Sequence, residues 1–165
     1  MTDPTRTIRA ATAGDIPQIL RLVRELATYE REPESVVATE EMYATALFPA
    51  DGHPAAYADL AFTGPDVAGM ALWFPSFSTW TGRPGIWLED LIVAAGHRGG
   101  GIGLALMRHL AGRCAERGWT RLDWSVLTWN APAIGFYESL GAHRTSDWVG
   151  YRLDAAALSR LTLRS

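Results

Sequence analysis

The sequence predicts an α/β fold: a single domain over residues 1–165 built on one mixed sheet flanked by helices. The first observation behind this is the order of patterned segments: strand, helices, strands, helix, strand, helix, strand and a closing helix. The second is size and composition. A chain of 165 residues, 48% hydrophobic and 20% charged, suits one core, and at this length folding buries about 70% of the extended chain's surface without a staple. The third is the lack of any internal repeat or Pro/Gly/Ser-rich linker between two self-sufficient halves.

Residues 7–11 form a short strand pattern. Asp15 with Gln18 three residues later makes a capping-box-like helix start, with Asp15 expected to accept from first-turn amides. The helix runs to Tyr29, because Ile16, Ile19, Leu20, Val23, Leu26 and Ala27 recur at three and four residues and share a face. Glu30, Glu32 and Glu34, then Glu40 and Glu41, lead into a second helix ending near Phe48 and Pro49. Such a run is either a solvated face or a negative rim for a cationic substrate.

Residues 57–63 and 67–74 are strand-like and separated by Gly64-Pro65-Asp66, the turn of an antiparallel hairpin. Residues 86–93 form another strand; Arg83-Pro84-Gly85 before it is unlike a plain strand start. Residues 102–117 are the strongest helix, with Leu104, Leu106, Met107, Leu110 and Cys114 periodic and Gly118 placed to end it. Cys114 belongs to that apolar stripe. Residues 121–128 read as a strand, Asn130 caps a short helix over 131–140 closed by Gly141, residues 149–153 read as a last strand, and residues 154–161 as a final helix.

Composition removes several chemistries. The Lys+Arg total of 15 is all arginine, so neither the lysine of a Walker phosphate loop nor a Schiff-base amine is available. Net charge is −3 with scattered basic residues, which argues against nucleic acid as a partner. The start of the chain lacks an apolar signal region and no apolar run is long enough for a span, so the expected setting is cytoplasmic and away from membranes. His53, His97, His109 and His143 show no metal-ligand spacing with Cys114, and no G-x-S-x-G elbow is present, so no metal is expected.

The informative segment is Arg98-Gly99-Gly100-Gly101-Ile102-Gly103, between a strand and the long helix. Glycines remove side chains that would keep a phosphate off the backbone, and the helix start adds about half a positive charge. Arg98 contributes a full charge and a rigid donor fork. Taken alone, the run also fits a flexible connection. The dinucleotide fingerprint fits poorly, since no repeated βαβ halves and no acidic ribose-binding residue accompany it.

The spacing Arg98-x-x-Gly101-x-Gly103, preceded by Leu88-Glu89-Asp90-Leu91 and followed by Trp129-Asn130-Ala131-Pro132 and Phe136-Tyr137, resembles the GNAT superfamily of N-acetyltransferases. Within it the chain is similar to the diamine and thialysine N-acetyltransferases. The resemblance extends from Ile8-Arg9-x-Ala11-Thr12 through Glu25-Leu26-Ala27-x-Tyr29-Glu30 to Gly141-Ala142. It implies a mixed, mostly antiparallel sheet whose central strands splay so that the pantetheine arm of acetyl-CoA lies between residues 86–93 and 121–128. Main-chain groups of Leu91, Ile92 and Val93 would then hold the arm. Arg98, Gly99, Gly100, Gly101, Ile102 and Gly103 would hold the diphosphate, and Asn130 and Tyr137 would contact the cofactor.

The implied reaction has two proton problems. A primary amine with a reference pKa of about 10.4 is protonated at neutral pH and needs a base; the departing thiolate benefits from an acid. The resemblance implies Tyr137 as the acid and Glu89, through water, as the base. On residue pattern alone Tyr137 is an ordinary aromatic beside Ala133, Phe136 and Leu140, and Glu89 or Asp90 a salt-bridge or solvated carboxylate. Neighbouring strand residues face opposite sides, so Glu89 and Asp90 share a cavity only across a bulge.

The family match also places Glu30, Trp80, Glu89 and Asp90 at the amine acceptor. Polyamine-specific relatives carry an acidic residue just before the tryptophan, whereas this chain has Ser78-Thr79-Trp80, which favours a shorter amine or a thialysine-like amino acid. A homodimer is implied as well. Two other functions fit the same residues: a non-catalytic acyl-CoA sensor, and an acetyltransferase for protein or antibiotic amines.

Overall fold

The computed structural model describes residues 6–145 and 147–162, which fall into two units, Met1–Ser125 and Val126–Ser165. The first unit holds a five-stranded sheet in the order β1-β2-β3-β4-β5. β1 (Arg6–Ala10), β2 (Tyr57–Thr63), β3 (Asp66–Ser78) and β4 (Arg83–Val93) pair antiparallel in sequence; β5 (Leu122–Trp124) joins β4 in parallel. The parallel step requires a crossover, and α3 (Ile102–Arg117) supplies it.

α1 (Ile16–Tyr29) and α2 (Glu40–Leu47) lie with the core of the first unit. Ile19 and Leu22 of α1 and Leu47 of α2 join Leu60, Met70, Leu72 and Ile92 in one buried cluster. The periodicity located this face, apart from Leu22, which the structure buries fully. Ile102, Leu106, Met107, Leu110 and Cys114 are the buried residues of α3. Gly69 lets α3 approach: a Cβ there would stand 2.8 Å from the Ile92 carbonyl oxygen and 3.0 Å from Ile102 Cγ2. No helix among the described residues is long and apolar enough to cross a membrane.

Asp59 fastens α3 to the sheet. It is 1% exposed, and its carboxylate accepts the Trp73 indole N–H at 2.8 Å and an Arg113 N–H at 2.6 Å. Tyr57 stacks on Trp73 with ring centroids 4.7 Å apart, so a buried charge is paired, hydrogen-bonded and sealed by aromatic rings.

Several sequence expectations are corrected. Asp15 does not cap α1 through its side chain. Its carboxylate turns back to the Thr12 N–H and hydroxyl, at 2.7 and 2.8 Å, and takes a two-pronged Arg9 contact at 2.7 and 2.9 Å, because a guanidinium fork offers more than the first-turn amides. Gln18 pairs with Arg21 instead. β4 begins at Arg83, since Phe77↔Pro84 and Ser78↔Arg83 continue the hairpin with β3. Gly85 is required there: a Cβ would meet Arg121 Cγ at 2.6 Å. The strand expected over residues 121–128 shortens to Leu122–Trp124.

The second unit contains α4 (Ala131–Ser139) and α5 (Ala155–Thr162). The expected strand at residues 149–153 is not formed. A strand needs a neighbour for its main-chain groups, and no described residue pairs with this stretch, where Val149 is 78% and Tyr151 96% exposed.

Candidate active site

The site begins with a register shift. Trp73 stands opposite Leu88, but Leu72 stands opposite Asp90, so Glu89 is the extra residue of a bulge in β4. The bulge has two consequences. It transfers Asp90 to the sheet face of Leu72, where α1 and α2 contribute to the buried cluster. It also adds twist and bends the strand, and the ladder to β5 stops at Leu88↔Trp124, one residue before it. Leu91, Ile92 and Val93 continue to pair with Ala71, Met70 and Gly69 of β3. On their β5 side no ladder continues among the described residues, leaving main-chain donors and acceptors for an extended ligand.

Carboxylates gather at the bulge. Asp90 is partly buried, and burial first, then the charges of Glu89 and Glu30, push its pKa up to about 6. Glu30, directly after the last turn of α1, is also raised by burial. Tyr43 of α2 is raised by burial and by the charge of Asp90. Glu89 is exposed and accepts the Trp87 indole N–H at 2.9 Å. Sequence reasoning did not single out Tyr43, and only the glutamate run around it hinted that α2 borders the site.

The glycine turn follows β4. Gly99 and Gly101 have φ of +76° and +80°, conformations that side chains rarely adopt. Gly101 is the residue preceding α3. Among the described residues no acceptor takes the main-chain N–H groups from Gly99 to Leu104. They form a run of donors at the positive end of a long helix, the chemistry of an anion cradle. Arg98 donates from Nε to the Val93 carbonyl at 3.1 Å and lays its guanidinium 5.1 Å from the centre of the Tyr29 ring.

Glu30, Glu89 and Asp90 are thus brought together. Trp80 stands between β3 and β4 at the tip of their hairpin and is 88% exposed. In the second unit Asn130 caps α4 as expected, its side-chain oxygen accepting the Ala133 N–H at 3.3 Å. Tyr137 lies on α4 with its ring 5.2 Å from that of Phe136.

Residues 18–142 match the model of the acetyltransferase (GNAT) family. The chain is 35% identical to a thialysine N-epsilon-acetyltransferase of Bos taurus, over 93% of this chain and 95% of that protein. It is 28% identical to an L-ornithine N5-acetyltransferase of Arabidopsis thaliana, over 93% of this chain and 86% of that one. Among solved structures, an integron cassette protein from the mobile metagenome of V. cholerae superimposes with a TM-score of 0.78 at 26% identity, covering 96% of this chain and 98% of that one.

Proposed function

The chain belongs to the GNAT acetyltransferase family and is an acetyl-CoA-dependent N-acetyltransferase, and from that premise we propose that its acceptor is the primary amine of a small cation, a thialysine- or ornithine-like amino acid or a short diamine. The observation that carries this is the coincidence, at one point of β4, of the end of the β5 ladder with Glu89 and Asp90. A cluster of carboxylates attracts an aminium and rejects an anionic acceptor.

The residues present fit the cofactor. The N–H groups of Gly99, Gly100, Gly101, Ile102 and Gly103 suit a diphosphate, and the β5 side of Leu91, Ile92 and Val93 suits an extended amide arm; the cofactor contact proposed for Asn130 rests on the family resemblance. Bound there, acetyl-CoA supplies the activated acyl group as a thioester. Glu89 accepts, through water, the proton that the acceptor's aminium must lose. Tyr137 holds a proton on its hydroxyl for the leaving sulfur. Asp90 and Glu30 bind the acceptor's positive charge. A second assignment has a specific support: Asp90, raised to about 6, is matched to neutral pH as the proton acceptor, with Glu89 holding the cation.

Trp80, on the exposed hairpin tip, is proposed as an acceptor contact on the strength of the family resemblance. We also propose a homodimer. Trp148, Val149, Tyr151 and Leu153 present exposed apolar surface in the stretch whose strand is not formed, which a second copy would cover. Light scattering giving a monomer mass at micromolar concentration would end the dimer proposal.

The activity test mixes protein and acetyl-CoA with thialysine, ornithine, lysine, short diamines, aminated antibiotics and peptides, and follows free thiol and acetylated product. Thiol release dependent on the small cationic acceptors is expected. Turnover confined to peptides, or tight CoA binding with no turnover on any amine, would replace the proposal with one of the two other functions.

A further inference from the structure

We propose that Arg6, the first described residue of β1, is a phosphate ligand of the coenzyme. This rests on the glycine turn being the coenzyme's phosphate site. Edge strand β1 brings the Arg6 guanidinium against that turn. Cβ atoms built on Gly100 and Gly101 would stand 3.5 Å from Arg6 Nη2 and 3.4 Å from Nη1, so the fork straddles both glycines.

The electrostatics of this placement need an anion. A guanidinium at the start of α3 meets the positive end of the helix dipole and the undonated N–H groups of residues 99–104, which by itself is unfavourable. Among the described residues no carboxylate forms an ion pair with Arg6. Arg98, the cation that the motif supplies, commits its Nε to Val93 and its flat face to Tyr29. Arg6 therefore brings a second guanidinium to the turn. A phosphate oxygen between fork and amides would relieve the repulsion and match the planar, two-pronged donor geometry of arginine. Nothing in the motif pointed to Arg6, because it lies at the other end of the unit's sequence and reaches the turn only through the order of strands in the sheet.

Calorimetric titration of wild-type, Arg6→Met and Arg6→Lys proteins with CoA, 3′-dephospho-CoA and pantetheine tests this without turnover. Arg6→Met should weaken CoA binding roughly tenfold, as loss of one charge-assisted contact does. Arg6→Lys should lose less, and pantetheine, which has no phosphate, should bind all three proteins alike. A deficit that vanishes with 3′-dephospho-CoA assigns Arg6 to the 3′-phosphate, and one that persists assigns it to the diphosphate. Equal CoA affinity in wild-type and Arg6→Met overturns the inference alone. So does an equal deficit with pantetheine, which would make Arg6 a brace for the loop. A wild-type protein that binds no CoA overturns both the inference and the phosphate site beneath it.

Discussion

Asp90 on β4 feels the negative charge of Glu30 at the end of α1, although the two are far apart in the chain. With Glu89 and burial added, the result is a carboxyl group that titrates near pH 6. Its charge is unfavourable until a cation arrives. The site thereby stores repulsion that an aminium acceptor relieves.

The pH dependence follows with a definite sign. If ionised Asp90 is needed, kcat/KM for a cationic acceptor should rise between pH 5 and 7 with a midpoint near 6. Asp90→Asn should flatten that rise and increase the acceptor KM about tenfold, as read from initial rates across pH. Stability should move the other way. A pKa raised in the folded state favours folding below the unfolded value of 3.8, and this contribution is lost as pH rises through about 6. At pH 7–8 thermal melting should show Asp90→Asn more stable than wild type by about 1–2 kcal/mol. Equal melting of the two proteins would contradict the burial of this charge.

Tyr137→Phe removes only the hydroxyl. If that group delivers the proton, kcat should fall about 100-fold while CoA affinity changes less than about threefold. Rapid-quench and equilibrium binding measurements separate the two. An unchanged kcat would leave Tyr137 as a packing residue beside Phe136.

Asp59 predicts a purely structural effect. Asp59→Ala strips the Trp73 indole and Arg113 of their partner and should destabilise the fold by about 2–4 kcal/mol, read by chemical denaturation. Asp59→Asn keeps the acceptor for Trp73 and should cost less than Asp59→Ala.

Asp15 predicts acid sensitivity. Arg9 and the Thr12 N–H and hydroxyl hold its carboxyl well below the usual range. A lowered folded pKa stabilises above the unfolded value of 3.8 and is lost as pH falls below it. Because Arg9 is half exposed, the gain is screened; Asp15→Asn should cost about 1 kcal/mol at pH 7 and less at pH 3. A deficit independent of pH would assign the loss to packing.

Much of the fold was legible because local rules govern it. The apolar spacing of α1 and α3, the Gly64-Pro65-Asp66 turn and the Asn130 cap are decided by residues within a turn of one another. Where the strand expectations failed, the missing information was the neighbour. Residues 149–153 have strand composition yet pair with no described residue, and Arg83-Pro84-Gly85 lacks it yet extends a hairpin.

By itself the sequence determined the alternation of helices and strands, the glycine turn with its amides at a helix start, and the carboxylates on the strand before it. Only the tertiary structure decided that β4 bulges at Glu89, that Asp90 meets Glu30 and Tyr43, and that Arg6 reaches Gly100 and Gly101. The physical reason is range. Capping, turn geometry and periodicity act over a few bonds, whereas register, desolvation and the meeting of distant charges exist only after the sheet has been assembled.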